Sequence, residues 1–268
     1  MVYGIAKMLN FAHGDIIMVG AYVAFMASTR AGLSPILCIL LSMTACTVLG
    51  ISIERIAYRP LRGASSLSVL ITAIGVSYFL QNAALLIFGP DSKSFSSLVN
   101  VPPIVLMNGE VQISGVTIVT ILSCIVIMVV LTTFINKTKI GQAMLAVSED
   151  KGAATLMGIN TNYTIAVTFA IGSALAAIAG VLLCSSYATL STTTGSMPGI
   201  KAFTAAVFGG IGSIPGAFIG GILLGIIENL AKATDYSQLA DAIVFGVLIL
   251  VLLVRPTGIL GRQIQEKV

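Results

Sequence analysis

Charge is what this chain has least of. Aspartate, glutamate, lysine and arginine make up 9% of its 268 residues, against roughly 25% in an ordinary soluble domain. With 57% hydrophobic residues, a water-covered globule is excluded. Tryptophan is absent and histidine occurs once. No serine elbow, no paired metal ligands and no converging carboxylate pair can be found, so an enzyme would lack its reacting groups. No G-x-x-x-x-G-K-[ST] loop occurs either. In Gly210-Ile-Gly-Ser-Ile-Pro-Gly216 a proline stands where a dinucleotide fingerprint needs its third glycine. If ATP drives this chain, a partner hydrolyses it, and no cofactor is called for. The net charge of +4 is scattered over short loops and forms no stripe, which argues against nucleic acid. Cys38, Cys46, Cys124 and Cys184 fall in or beside apolar runs without ligand spacing, and read as small apolar side chains. Residues 1–8 show no charged region followed by a cleavage site.

What the chain has is apolar length. About 20 apolar residues cross a bilayer as a helix, and candidate spans lie at Asp15–Thr29, Pro35–Ile53, Leu67–Phe88, Ile113–Ile135, Tyr163–Leu183, Gly216–Leu230 and Ala240–Val254. Ser191–Gly199 reads as a loop. Lys201–Gly212 is apolar but too short to cross alone, and runs into a glycine-rich turn. The expected fold is an all-α, polytopic transmembrane bundle of about eight membrane segments in one domain, 1–268, with a broken or re-entrant element near 200–215. Irregular backbone at membrane depth is tolerated only in protein or beside a watery cavity, which points Gly209, Gly210 and Gly212 toward such a cavity. Asn108-Gly109 predicts a tight turn in a small hairpin.

Arg55, Arg59 and Arg62 share one loop, Lys137, Lys139 and Lys151 another, and Arg255, Arg262 and Lys267 the tail. Basic residues mark the cytoplasmic side. The tail joins the other two groups there if Lys201–Gly212 counts as a crossing or half-crossing. Gly212, Gly216 and Gly220, Gly221 and Gly225, and Gly172, Ala176 and Gly180 repeat at four-residue spacing, the pattern of closely packed membrane helices. His13 and Asp15, in Asn10-Phe-Ala-His-Gly-Asp15, read first as helix caps and second as functional intramembrane groups. Ser77, Gln81 and Asn82 either face a lumen or bond neighbouring helices. Glu228 and Lys232 are spaced to pair, and Asp241 suits the start of a helix.

The longest polar interruption with helical character is Gly141–Ile159, GQAMLAVSEDKGAATLMGI. A short helix from about Asp150 would be closed by Gly158. Glu149, Asp150 and Lys151 keep its start wet, while Ala153, Ala154, Leu156, Met157 and Ile159 give it an apolar knob. A solvated loop would do as well by default; the order of the residues favours a coupling helix that docks into another subunit.

In that order Gly141, Ala143, Ala146, Asp150, Ala153, Ala154, Gly158 and Ile159 fit G-x-A-x-x-A-x-x-x-D-x-x-A-A-x-x-x-G-I. With YGIAKMLNFAHGDIIMVGAY at the start, KAFTAAVFGGIGSIPGAFIGG near residue 210 and RPTGILG near the end, the chain resembles the permease subunits of bacterial branched-chain amino acid ABC importers, the LivH type, over nearly its whole length. The resemblance implies a multi-pass protein of the bacterial inner (plasma) membrane with a cytoplasmic C-terminus. It would carry amino acids by alternating access. Its partners would be two ABC ATPase subunits, a second homologous permease, a periplasmic or lipid-anchored substrate-binding protein, and membrane lipid. Residues 136–162 become the cytoplasmic coupling loop, with Glu149, Asp150, Ala153, Ala154, Gly158 and Ile159 against the ATPase. Asn10, His13, Ser77, Gln81, Asn82, Gly209, Gly210 and Gly212 become candidates for the translocation path.

Two departures stand out. By the resemblance, most of the family's first helix would be expected ahead of Met1, and arginines usual around Gln142, Leu145 and Lys151 are reduced to the lysine. A related importer for sugars or other small solutes is the nearest alternative. A secondary transporter would want ion-binding charges at mid-span, and the spans at 67–88, 113–135 and 163–183 carry none.

Overall fold

In a bilayer the only partners for backbone N–H groups are carbonyls of the same segment, so long apolar runs must coil. The computed structural model describes residues 2–8, 10–106, 111–234 and 237–261, and among these it forms eleven α-helices. They are α1 (Val2–Ala6), α2 (His13–Thr29), α3 (Pro35–Ile53), α4 (Ser66–Phe88), α5 (Gly115–Lys137), α6 (Lys139–Glu149), α7 (Lys151–Leu156), α8 (Thr161–Tyr187), α9 (Ser196–Gly209), α10 (Ile214–Lys232) and α11 (Ala240–Val254). Pro35 opens α3 at a position where its missing N–H has no helical partner to lose.

Among the described residues, six helical stretches are long and apolar enough to cross a membrane: Pro35–Leu61, Ser66–Phe88, Gly115–Lys137, Thr161–Tyr187, Ile214–Lys232 and Ser237–Val254. The count of about eight also took in α2, which has 17 residues, and α9, which has 14. The all-α expectation meets a small addition. β1 (Lys93–Ser94) pairs antiparallel with β4 (Thr189–Leu190), and β2 (Ile104–Leu106) with β3 (Val111–Ile113). The hairpin's Asn108-Gly109 turn lies outside the described residues, as do Glu110, Arg262 and Lys267.

α8 is the most enclosed span, with 56% of its membrane window buried, and α5 the least, with 6%. α2 and α3 close on α8 through small residues. A β-carbon on Gly20 would lie 2.7 Å from Ala177 Cα, and one on Gly180 would lie 2.3 Å from the Ile17 carbonyl oxygen. Ser42 Oγ donates to the Gly20 carbonyl (2.6 Å) and Cys46 Sγ to that of Ile16 (3.6 Å). The four-residue glycine repeats serve unequally. Gly216 and Gly220 abut α9, whereas a β-carbon on Gly225 meets nothing within 4 Å. Gly212 also meets nothing, and its φ of +93° makes it a turn residue instead. Cys124 corrects the reading of all four cysteines as packed side chains. It is exposed, because α5 buries only Gly115 and Ile135.

Candidate functional site

Three elements converge on one polar knot. α2 and α9 begin side by side, neither with a side-chain cap. A β-carbon on Gly14 would lie 2.4 Å from the Gly195 oxygen, and one on Gly195 would lie 1.8 Å from the Gly14 oxygen. One residue on, Asp15 is 1% exposed. Its Oδ1 accepts from Gln81 Nε2 (2.9 Å), which also lies 3.3 Å from both Ser77 Oγ and Ser196 Oγ. A buried carboxylate needs such donors to offset lost hydration. Asp15 therefore ties α2 to α4 and α9, which replaces the capping role read from sequence. Gln81 stands about 22 Å along α4 from Ser66, at 1.5 Å per residue, so the knot lies well inside the bundle.

The other candidates are dispersed around it. Asn10 Oδ1 accepts from buried Tyr58 (2.9 Å). His13 opens α2 half-buried and faces Gly172. Asn82 sits on the outer face of α4 and donates to the Tyr78 carbonyl of its own helix (2.8 Å). Gly209, Gly210 and Gly212 make the turn between α9 and α10, where Gly210 has a φ of +109°. The tail laces this turn: Ile259 N–H donates to the Phe208 carbonyl (2.9 Å) and Leu260 N–H to that of Gly209 (3.0 Å).

A second polar group spans α9, α10 and α11. Lys201 Nζ lies 2.9 Å from Glu228 Oε1 and 2.7 Å from Asp241 Oδ1, and Lys232 pairs with Glu228 at 2.5 Å. The expected Glu228–Lys232 pair is present, and Asp241 does stand in the first turn of α11. Lys201 is absent from the sequence candidates, although a lysine inside an apolar segment is itself a signal. Lys201→Met should lower stability by ~1–2 kcal/mol, between exposed and buried pairs, read as a drop in the thermal midpoint of the purified protein. Glu228→Gln, which leaves Lys201 its bond to Asp241, should lose less.

The Gly141–Ile159 stretch folds as two short helices. Thr138 Oγ1 accepts from Gly141 N–H (3.0 Å) at the start of α6, and Asp150 Oδ1 accepts from Gly152 N–H (2.7 Å) and Ala153 N–H (3.0 Å) at the start of α7. Gly158 closes the turn with a φ of +82°. The Ala153 and Gly152 N–H groups hold the Asp150 carboxyl below its ordinary pKa. The folded value being the lower one, this contribution is fully present above the unfolded carboxylate's ~3.9 and is lost as pH falls through the folded value. Asp150→Ala should fray α7 at neutral pH while Asp150→Asn keeps it, measured by hydrogen exchange at Gly152 and Ala153.

The knob differs from the one expected. Ala154 is 4% exposed and half-buried Ile159 packs beside it on the core. Leu156 and Met157, 89% and 82% exposed, carry the outward surface, with Ala153 and Glu149 exposed beside them. Lys151 turns inward, donating from Nζ to the Ala6 carbonyl (2.9 Å). Burial, then Arg62 and Lys7, hold its pKa below the usual lysine range.

This architecture, six apolar helices long enough to cross among the described residues and two short helices joining two of them, is that of a multi-pass membrane protein. The family model for the branched-chain amino acid transport system permease component matches residues 1–253, and the chain belongs to that family. Its members are non-enzymatic membrane subunits of ABC transport systems. The chain is 48% identical over 281 residues to the high-affinity branched-chain amino acid transport system permease protein BraD of Pseudomonas aeruginosa, covering 100% of this chain and 91% of that one. It is 46% identical over 278 residues to the corresponding LivH protein of Escherichia coli K12, covering 100% and 90%. Similarity to the xylose transport system permease protein XylH of the same strain is 31% over 121 residues, 43% of this chain and 31% of that one. No solved structure matches.

Proposed function

We propose that this chain forms one half of the translocation path of a bacterial inner-membrane importer for branched-chain amino acids. The observation that carries the reading is α7, a capped helix ending in two bare apolar side chains at the far end of the tied α6–α7 segment. Leu156 and Met157 have no use in a monomer in water and suit the groove of a partner. Two ATPase subunits would receive this knob and its copy on a second, homologous permease, and a substrate-binding protein would dock on the opposite side. Counted with the six long spans, α2 and α9 would bring the membrane segments to eight, which would leave the C-terminus in the cytoplasm with the three basic groups.

In this reading the path follows the broken elements. Short helices starting inside a bundle are where transporters place substrate, and α2 and α9 both start at the Asp15–Gln81–Ser196 knot. Asn10, His13, Ser77 and Gln81 would edge the path, with Gly209–Gly212 at its inner mouth. Opening and closing require α9 to move against α2, and the knot then serves as the latch between two arrangements.

The substrate class is tested by uptake. In a strain lacking its own branched-chain importer, the chain with its neighbouring partner genes should restore uptake of leucine, isoleucine and valine but not of xylose. Restored xylose uptake without leucine uptake would move it to the sugar importers.

A further inference from the structure

At its inner end α3 widens into a single π-helical turn over Glu54–Tyr58. Such turns are rare and concentrate at functional places. This one buries Glu54 and Tyr58 and leaves Arg55 and Arg59 exposed. Between the turn and the start of α8 lies a cleft of about 250 Å³ lined by Ile51, Glu54, Arg55, Arg59, Asn160 and Asn162, with Tyr163 and Ala166 on the α8 wall. That is below the ~300–1,000 Å³ that encloses a drug-sized ligand, and suits a single small headgroup.

The polar groups that the cleft leaves unpaired are mostly donors. Its one carboxylate, Glu54, is 3% exposed and paired with Arg62, which also donates to Asn162 Oδ1. Asn160 Oδ1 accepts from Tyr163 N–H (3.0 Å). Both asparagines thus use their oxygens within the protein and leave amide N–H groups for the cleft. The Arg55 and Arg59 guanidinium groups make no hydrogen bond or ion pair among the described residues, while the Arg59 backbone N–H donates to the Glu54 carbonyl. Apart from the Tyr163 hydroxyl, which can donate or accept, the side-chain groups left open are donors, and two of the donors are cations. The apolar walls, Ile51 and Ala166, belong to α3 and α8. From Ile51 an exposed stripe of Val48, Thr44, Leu41 and Leu37 runs along α3 at helical spacing, apolar but for the Thr44 hydroxyl, which donates back to the carbonyls of its own helix. A soluble anion or a partner's carboxylate would use the donors alone; a lipid uses donors and stripe together.

We propose that this cleft binds the phosphate headgroup of an anionic phospholipid, with an acyl chain laid along the α3 stripe. Guanidinium groups match phosphate oxygens through paired N–H donors, and a basic pocket between spans at the membrane surface is the setting in which anionic headgroups are held. The site requires only that α3 and α8 cross a membrane, and stands whatever the chain transports.

The test uses the full chain purified with its partner subunits in mild detergent, stripped of lipid and offered phosphatidylglycerol or phosphatidylcholine. Bound lipid is counted by native mass spectrometry. Wild type should retain phosphatidylglycerol selectively. Arg55→Gln with Arg59→Gln should lose roughly 30-fold in its affinity, at ~1 kcal/mol per basic residue. Both side chains are exposed, so the thermal midpoint in phosphatidylcholine should stay unchanged. Arg55→Lys with Arg59→Lys should fall in between, and Lys137→Gln with Arg255→Gln, outside the cleft, should match wild type. An equal loss in that control, which would mean diffuse surface charge, overturns the site. So does displacement by inorganic phosphate at equal concentration, which would mean a free-anion site. Unchanged lipid binding with loss of the ATPase subunits from the arginine variant would give these arginines to a protein partner and overturn it too.

Discussion

Replacing Leu156 and Met157 together by glutamate is expected to leave the permease folded and in the membrane while uncoupling it from ATP hydrolysis. Both side chains are almost fully exposed, at 89% and 82%, so their loss should change the chain's own stability by no more than ~0.5 kcal/mol. At an interface the balance reverses. A large apolar anchor seated in a partner is worth ~2 kcal/mol or more, and a carboxylate forced into its pocket adds desolvation. ATPase docking should weaken roughly 100- to 1,000-fold, and stimulation by loaded binding protein should vanish. Ala154→Glu would fail for a different reason. Ala154 is 4% exposed against the core, so a charge there would prevent α7 from packing and would be read as lost protein. Full stimulation in the Leu156/Met157 double variant would refute the docking role of α7.

Gly195→Val is expected to abolish uptake and to lower the amount of folded protein. A β-carbon at 195 would sit 1.8 Å from the Gly14 carbonyl oxygen. That oxygen belongs to backbone, which no rotamer change can move aside. Overpacking in a closed core costs about 1–3 kcal/mol, and here α9 would also be levered off α2, pulling Ser196 from Gln81. Gly225→Ala and Gly246→Ala are the matched controls. A β-carbon at either meets nothing within 4 Å, so both should be neutral or stabilising by a few tenths of a kcal/mol, as alanine favours helix. Normal uptake by Gly195→Val would mean that the α2–α9 contact is not needed in the working protein.

The long spans and the two short helices α6 and α7 were legible in the sequence because both depend on local signals. Uncharged length predicts a membrane helix, and Asp150 and Gly158 bracket α7 by cap chemistry that needs no neighbours. Helix faces were hidden. In these spans apolar residues run all the way round, so nothing in the pattern distinguishes exposed Cys124 from buried Cys46, or Asn82 from Gln81 beside it. The knot was hidden for another reason. Asp15, Gln81 and Ser196 are separated by 66 and 115 residues, and only the α2–α4–α9 packing brings them together. Ala154 and Ile159 look like surface in the sequence because the local signals of a short helix do not say which way it lies. Lys201 joins three helices through two carboxylates far along the chain, and its solitude in sequence was the one available sign.

This chain is expected to move amino acids only when partner ATPases drive it. The most direct measurement is leucine uptake into proteoliposomes containing the complex purified through this chain, with ATP sealed inside and loaded binding protein outside. Uptake should need ATP and the binding protein together, persist when ion gradients are collapsed, and travel with two ATPase subunits and a second permease in the purified material. Uptake without ATP that follows a proton or sodium gradient, from a preparation containing this chain alone, would contradict it.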